Sequence, residues 1–250
     1  MVIDNNEGAP IAMLPTELKL GNGSDALSRQ IYRVLSEKIV SFQLKPFEAL
    51  SEVSIAGELG VSRTPTREAL LRLSDIGLVE VLPQRGTFVT PLREADLERS
   101  QFLREAIETS LLKRVIELGR HEPLAQRLGI EISIQETCAR IGEMERFYAS
   151  DEAFHALIAE SAGFAHIQSE IDRAKIHMDR FRHLMVNGVD DVALVLDQHK
   201  AIASAVSSGD LAGSVEALQF HLRRVLKLTE AAKETFPQYF AKAPKKRLVR

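Results

Sequence analysis

The sequence predicts a mainly α-helical protein with two domains, a small one that ends in a β-hairpin and a larger one built only of helices. This prediction rests on changes in the hydrophobic pattern along the chain. Apolar residues follow a helical period up to Gly77, and short β-type runs continue to Thr90. Beyond Pro91 the helical period returns and lasts to about residue 235. A chain of 250 residues can hold two such domains, each with its own core.

These changes set the expected domain boundaries. Residues 1–23 are rich in Gly, Asn and Pro without a period, and we expect a flexible leader. The first domain is assigned to residues 24–92 and the all-helical domain to residues 93–235. Residues 236–250 contain Lys-Lys-Arg and are expected to form a frayed basic tail.

Three helices are expected in the first domain, each with its own boundary signals. The first begins at Asp25 and ends before Pro46, which disfavours helical geometry in the preceding residue. Ser51 is suited to cap the second helix, which stops at Gly60. Ser62 is suited to cap the third helix.

The third helix concentrates positive charge. It sets Arg63, Arg67 and Arg72 against one acid, Glu68, although the whole chain has a formal net charge of -3. A cationic face on an acidic protein suits a polyanion, and a helix that reads the major groove is the leading interpretation. Taken alone, the same pattern also fits a solvated helix face.

The β-hairpin decides between these interpretations. Residues 77–82 and 87–90 are β-type runs joined by Pro83-Gln84-Arg85-Gly86. Three helices followed by a hairpin are the plan of a winged helix-turn-helix domain. Arg85, at the hairpin tip, is suited to a groove or phosphate contact beside the third helix, so the arginines favour DNA binding.

The second domain is expected to be an all-α bundle of about six helices. Four buried-face polar residues stand out in it: Asp151, His155, His199 and His221. Asp151 and His155 are four residues apart and project from one helix face. The four side chains together suit a divalent cation, and separate hydrogen-bonded core histidines are the alternative. Arg104 and Glu108 form another such pair, which by spacing alone is an ordinary helix salt bridge.

Composition limits the function classes. Aromatic residues make up only 6% of the chain, with no Trp, which argues against a stacking surface for single-stranded nucleic acid. Charged residues interrupt every apolar run, so no membrane span is expected. The single cysteine, Cys138, fits a reducing compartment, and we expect a cytoplasmic protein.

The first domain carries a long and specific signature. It consists of Leu50-Ser51-Glu52, Leu59-Gly60-Val61-Ser62-Arg63-Thr64-Pro65, Arg67-Glu68-Ala69-Leu70, Arg72-Leu73, Gly77-Leu78 and Arg85-Gly86. Over roughly residues 26–92 this string resembles the GntR family of transcriptional regulators. The resemblance implies that operator DNA is contacted by Ser62, Arg63, Thr64, Arg67, Arg85 and Gly86. Some relatives have arginine where this chain has Val53, so a backbone contact is expected to be missing there.

The helical domain has motifs of its own. They are Asp151-Glu-Ala-Phe154-His155-Ala-Leu157, Asp197-Gln-His199-Lys-Ala-Ile202, Gly209-Asp210 and His221-Leu222. Over about residues 94–232 they are similar to the FCD ligand-binding domain of the FadR/VanR branch. The resemblance implies that Asp151, His155, His199 and His221 bind a divalent metal, zinc first, with nickel or manganese as alternatives. It also implies that Arg104 lines an effector pocket.

The sequence thus predicts a ligand-responsive transcriptional regulator, a repressor of a metabolic operon, and not an enzyme. By resemblance, a homodimer binds an inverted repeat in double-stranded DNA and senses a small organic acid. The alternative is a metal-dependent, hydrolase-like enzyme in the helical domain that the winged domain tethers to DNA, since three histidines and one aspartate with an open position also suit water activation.

Overall fold

The computed structural model describes residues 24–185 and 189–241, and this part of the chain forms two compact units. The first unit contains residues 24–93 together with residues 232–241, and the second contains residues 94–231.

Some predictions fall on other residues. The leader over residues 1–23, the predicted helix break at Asn187-Gly188 and residues 242–250 of the tail lie outside the described residues.

The first unit has the predicted winged helix-turn-helix fold. Its elements are α1 (Ser24–Val40), β1 (Ala49–Leu50), α2 (Glu52–Glu58), α3 (Arg63–Asp75), β2 (Val79–Leu82) and β3 (Gly86–Val89). The hairpin of β2 and β3 pairs Val79 with Val89 and Leu82 with Gly86. The sheet also has a strand that the sequence did not predict, because β1 pairs antiparallel with β3 to give the order β1-β3-β2. Two residues are too few to show a β period.

Both predicted N-cap residues of this unit stand at helix N-termini, but only one of them makes a capping hydrogen bond. The Ser51 hydroxyl accepts a hydrogen bond from the Ser54 backbone N–H at 3.2 Å, as an N-cap should. Ser62 stands at the N-cap of α3 with extended backbone angles, yet its side chain makes no capping hydrogen bond. The Ser62 hydroxyl therefore does not make the capping hydrogen bond that the sequence predicted.

Only one face of α3 packs into the hydrophobic core of this unit. Ile31, Leu35 and Ile39 of α1 are fully buried, and Ala69 and Leu73 of α3 are fully buried too. Helices α1 and α3 pack against each other. Since α3 is anchored by these inner residues, its outer face is left to solvent.

The second unit is helical throughout its described residues. Its long helices are α4 (Glu94–Glu117), α5 (His121–Ile141), α6 (Met144–Ser161), α7 (Gln168–Met185), α8 (Val189–Ser207) and α9 (Leu211–Arg223). Their number matches the expected six. Helix α5 packs against α6 and α8, while α4 packs against α7 and α9. Asp210 caps α9, accepting from the Gly213 backbone N–H at 3.1 Å. None of the described helices is long and apolar enough to cross a bilayer.

The C-terminal segment returns to the first unit. A short helix, α10 (Leu228–Thr235), is followed by a 3₁₀ turn, Pro237–Tyr239. The Leu92 backbone N–H donates to the Tyr239 carbonyl at 2.8 Å, and the Ala241 N–H donates to the Leu92 carbonyl at 3.2 Å. The Tyr239 ring also lies 5.4 Å from that of Phe42. Sequence patterns divided the chain at residue 235, whereas these contacts group residues 232–241 with the winged unit.

Candidate functional site

The predicted DNA-contacting residues lie at the start of α3 and at the tip of the wing. All six are exposed to solvent: Ser62, Arg63, Thr64, Arg67, Arg85 and Gly86. On the opposite side of α3, Pro65 and Thr66 are buried. The same short segment therefore anchors the helix and presents its polar groups outward.

The arginines of this surface differ in their partners. Arg63 donates from Nε to Glu52 Oε1 at 3.1 Å, and Arg72 donates from Nη2 to Asp25 Oδ1 at 2.6 Å. Arg67 and Arg85 have no ion-pair partner in the described part of the chain. The bond to Arg63 uses only Nε, so both terminal nitrogens of its guanidinium stay available for a bidentate acceptor.

The wing tip depends on a glycine. Gly86 has a φ of +106°, a conformation that side-chain-bearing residues rarely adopt. A Cβ at Gly86 would meet only the Phe88 ring, at 3.9 Å. The backbone conformation requires the glycine here, whereas packing inside the unit does not.

The second unit brings the four predicted metal ligands together. Asp151 and His155 lie one turn apart on α6, His199 lies on α8 and His221 on α9. Each offers one ligand atom, and these atoms lie within 4.8 Å of one another. Asp151, His155 and His199 are buried, and His221 is half-buried. Segments far apart in the sequence thus converge on one point.

Each histidine ring is held through Nδ1 by an acceptor on another helix. His155 Nδ1 lies 2.8 Å from Glu108 Oε2, and His199 Nδ1 lies 2.8 Å from Gln135 Oε1. His221 Nδ1 lies 3.0 Å from Gln198 Oε1. An oxygen at Nδ1 fixes the proton there and leaves Nε2 with a lone pair.

The three Nε2 atoms point inward, towards one another and Asp151. His155 Nε2 and His221 Nε2 face each other at 3.2 Å. His199 Nε2 is buried without a hydrogen-bond partner among the described residues, and Asp151 Oδ1 lies 3.5 Å from it. Facing lone pairs repel, and a buried nitrogen without a partner is costly, so a cation satisfies this arrangement. Three nitrogens and one carboxylate oxygen fit a divalent ion such as zinc.

Protonation in the cluster agrees with this donor set. Burial lowers the pKa of His199 to about 3 and holds the pKa of His221 well below its usual range. Burial alone would raise the pKa of Asp151, but the guanidinium of Arg182, 2.7 Å away, outweighs it and keeps that pKa well below its ordinary value. Near neutral pH the cluster thus contains a carboxylate and, at His199 and His221, neutral rings.

Arg104 reaches the cluster through Glu108. Its Nε donates to Glu108 Oε1 at 2.5 Å, and the second carboxylate oxygen of Glu108 is the one that holds His155. Both partners of the ion pair are buried. Burial would raise the pKa of Glu108, but Arg104 and His155 lower it to about 2, so the carboxyl is ionised. The pair is more than a surface salt bridge because it positions a ring of the cluster.

A cavity opens beside the cluster, and Arg104, Asp151, Arg182 and His221 line it. Sequence reasoning missed Arg182, Gln135 and Gln198, and it named Glu108 only as the partner of Arg104, not as the anchor of His155. Gln198 precedes His199 in the chain but serves His221 instead. No spacing rule reveals pairs that meet only through tertiary packing, so these roles had no local signal.

A winged helix-turn-helix unit joined to a helical unit with this cavity defines a transcriptional regulator. Residues 27–89 match the model described as "Bacterial regulatory proteins, gntR family", and residues 101–224 match the FCD domain. The chain belongs to the GntR family and carries an FCD domain, which confirms the resemblance seen in its motifs.

Individual relatives agree with this assignment. The chain is 34% identical over 219 residues to an uncharacterized HTH-type transcriptional regulator in an unstable DNA locus of Streptomyces ambofaciens, covering 85% of this chain and 89% of the relative. It is 27% identical over 220 residues to the HTH-type transcriptional repressor RspR of Escherichia coli K12, covering 88% and 96%. The fold resembles E. coli McbR/YncC with a TM-score of 0.66 at 20% identity, covering 82% and 98%. These families are regulators, so the prediction that the chain is not an enzyme is confirmed and the tethered-hydrolase alternative is set aside.

Proposed function

We propose that the protein is a homodimeric repressor that binds an inverted-repeat operator, and that a small organic acid bound beside a divalent metal ion controls this binding. The GntR and FCD assignments supply the framework of a DNA-binding regulator. The name of the relative RspR supports the choice of repressor. Binding to bacterial DNA implies that the protein works in the cytoplasm.

The exposed surface of α3 and the wing supports the DNA half of the proposal. Arg63 and Arg67 read base edges in the major groove, while Ser62 and Thr64 contact phosphates near the N-terminus of α3. Arg85 and the backbone of Gly86 contact DNA at the wing. Two copies related by a two-fold axis match the two halves of an inverted repeat.

The cluster of Asp151, His155, His199 and His221 supports the metal half. These residues hold the ion, and zinc suits their nitrogen-rich set best, with nickel or manganese as alternatives. A bound divalent ion supplies positive charge and an open coordination position to an anionic ligand. Glu108, Gln135 and Gln198 keep the rings oriented, which is the role of groups behind metal ligands.

Arg104 supports the assignment of the effector as an acid. Its guanidinium lines the cavity next to the cluster and is suited to bidentate bonds with a carboxylate. A ligand bound to Arg104 is linked to His155 through Glu108. The effector alters transcription only if it binds the DNA-competent and incompetent forms with different affinities.

The observation that carries the proposal is the convergence of three histidine Nε2 atoms and one carboxylate in a regulator with an exposed cationic helix. The test measures affinity for a duplex selected by the protein from a random pool. Zinc-loaded protein is titrated with that duplex in the presence of single organic acids.

At least one acid should change the dissociation constant by about 5- to 150-fold, the usual range of coupling between sites. The matched variant Arg104→Gln, loaded with zinc, should bind the duplex normally but lose the response. If no acid alters duplex affinity, or if the variant responds like wild type, the proposal is wrong.

A further inference from the structure

The cavity beside the histidine cluster has two kinds of wall. Besides Tyr148, its titratable lining consists of Arg104, Asp151, Arg182, His221 and Arg224, and the first four of these belong to or adjoin the cluster. Most of the remaining wall is apolar, including Phe147, Met178, Val192, Val195, Val225 and Leu228. The cavity is partly open to solvent. A ligand that fills it must therefore be charged at one end and apolar along its body.

The terminal nitrogens of Arg104 lack a strong hydrogen-bond acceptor at the charged end of the cavity. Arg104 is buried and spends its Nε on Glu108, and its Nη1 lies 3.9 Å from the sulfur of Met178, a weak acceptor. No other hydrogen-bond acceptor in the described residues serves the terminal nitrogens of Arg104. Its charge is already balanced by Glu108, but these open N–H donors suit an acceptor inside the cavity, and a carboxylate matches their geometry.

Arg182 does not compete for the same role. Its guanidinium already contacts Asp151 at 2.7 Å and Glu152 at 3.4 Å. It balances the acids at the cluster: burial alone would lower the pKa of Arg182, but Asp151, Asp179 and Glu152 outweigh burial and raise that pKa, so the guanidinium is charged. Arg104 is therefore the residue whose terminal nitrogens are open to a ligand carboxylate.

The apolar wall determines what the rest of the ligand can be. Among the described lining residues the only side-chain hydroxyl is that of Tyr148, and none of them is Ser, Thr, Asn or Gln. A ligand hydroxyl that leaves water for this wall finds no partner, and each such loss weakens binding by about tenfold. Each methylene buried against the wall instead strengthens binding by about fourfold.

We propose that the effector is a monocarboxylate with an apolar alkyl or aryl body, and not a polyhydroxylated sugar acid. This inference rests on the proposed function, because it takes the cavity as the effector site. It adds the chemical class of the effector. Arg104 binds the carboxylate, and the surface formed by Val192, Val195 and Val225 favours an apolar body over a hydroxylated one.

The test is isothermal titration calorimetry of the zinc-loaded full chain with acetate, butyrate, hexanoate, gluconate and hexanamide. Affinity should rise by about fourfold per added methylene from acetate to hexanoate. Gluconate has the same six-carbon length as hexanoate and should bind at least a hundredfold more weakly. Hexanamide, which lacks the charge, should bind more than tenfold more weakly than hexanoate.

Two variants separate the two ends of the cavity. Val195→Thr keeps the side-chain shape at a half-buried position and should weaken hexanoate while leaving acetate unchanged. Arg104→Gln should weaken every acid and leave hexanamide unchanged. A preference for gluconate over hexanoate would overturn the apolar class while leaving acid sensing intact. If no acid of the series binds, both this inference and the proposed acid sensing are wrong.

Discussion

Replacing Arg63 by alanine should weaken binding to a selected operator duplex much more than replacing Arg72. A bidentate contact between arginine and guanine is worth about 1–3 kcal/mol of discrimination. A two-fold dimer carries two copies, so the loss is about 2–6 kcal/mol, or roughly 30-fold to 20,000-fold in affinity. The Arg63 side chain is 69% exposed, so the fold should survive the change.

Arg72 provides the matched control because it lies on the same helix and carries the same charge. Its guanidinium is committed to Asp25 at 2.6 Å. Each variant removes one positive charge from α3, so any loss through general attraction to phosphate is the same in both. The affinity of each variant is measured by fluorescence anisotropy, on the selected duplex and on a scrambled duplex, at one fixed salt concentration.

Arg63→Ala should lose most of its preference for the selected duplex, whereas Arg72→Ala should keep that preference. Equal losses in the two variants would show that α3 attracts DNA by charge alone and does not read bases through Arg63. Unchanged affinity in Arg63→Ala would refute the assignment of this residue altogether.

Three further predictions concern other parts of the molecule. His199→Ala should lower the melting temperature more in zinc than in chelator, because the variant loses the metal-dependent stability in addition to its stacking on Phe154 and its bond to Gln135. His166→Ala, an exposed control, should match wild type, and an equal effect of His199→Ala in zinc and in chelator would contradict the site. Glu52→Gln should weaken the preference of the protein for guanine at the base read by Arg63 and leave its melting temperature unchanged, since Glu52 orients the Arg63 guanidinium. If competition between duplexes shows the same base preference as wild type, this role of Glu52 is refuted. Tyr239→Ala should lower the free energy of unfolding of the winged unit by about 1–3 kcal/mol, because it removes two aromatic contacts, with Phe42 and Phe236. Tyr239→Phe keeps both rings in contact and should leave that free energy unchanged. Urea unfolding measures both variants.

The winged unit could be predicted closely because its signals are local. Proline and glycine punctuate the helices, and Ser51 stands at a cap that the structure contains. Strand β1 could not be predicted, since it has only two residues and owes its conformation to pairing with β3. Likewise, no local pattern indicates that Tyr239 packs with Phe42, almost two hundred residues earlier. Features that depend on contacts between residues far apart in the chain could not be predicted from the sequence.

The candidate metal ligands were found by a mixture of spacing and resemblance. Asp151 and His155 share a helix face, the apolar pattern around His199 and His221 places them inward too, and the resemblance then assigned all four as metal ligands. The anchors at Nδ1 were missed because Glu108 and Gln135 lie 47 and 64 residues from the rings that they hold. The ion pair of Arg104 and Glu108 was seen, but its burial, which gives it a role beyond a salt bridge, depends on tertiary packing.

Elemental analysis of the purified chain tests the metal-centred pocket most directly. The protein is purified without chelator, and its metal content is measured beside that of His155→Ala and His199→Ala. Wild type should contain one divalent ion per chain, and both variants should contain well below one. A wild-type chain that holds no ion, even after incubation with zinc, or variants that keep full occupancy, would contradict the site formed by Asp151, His155, His199 and His221.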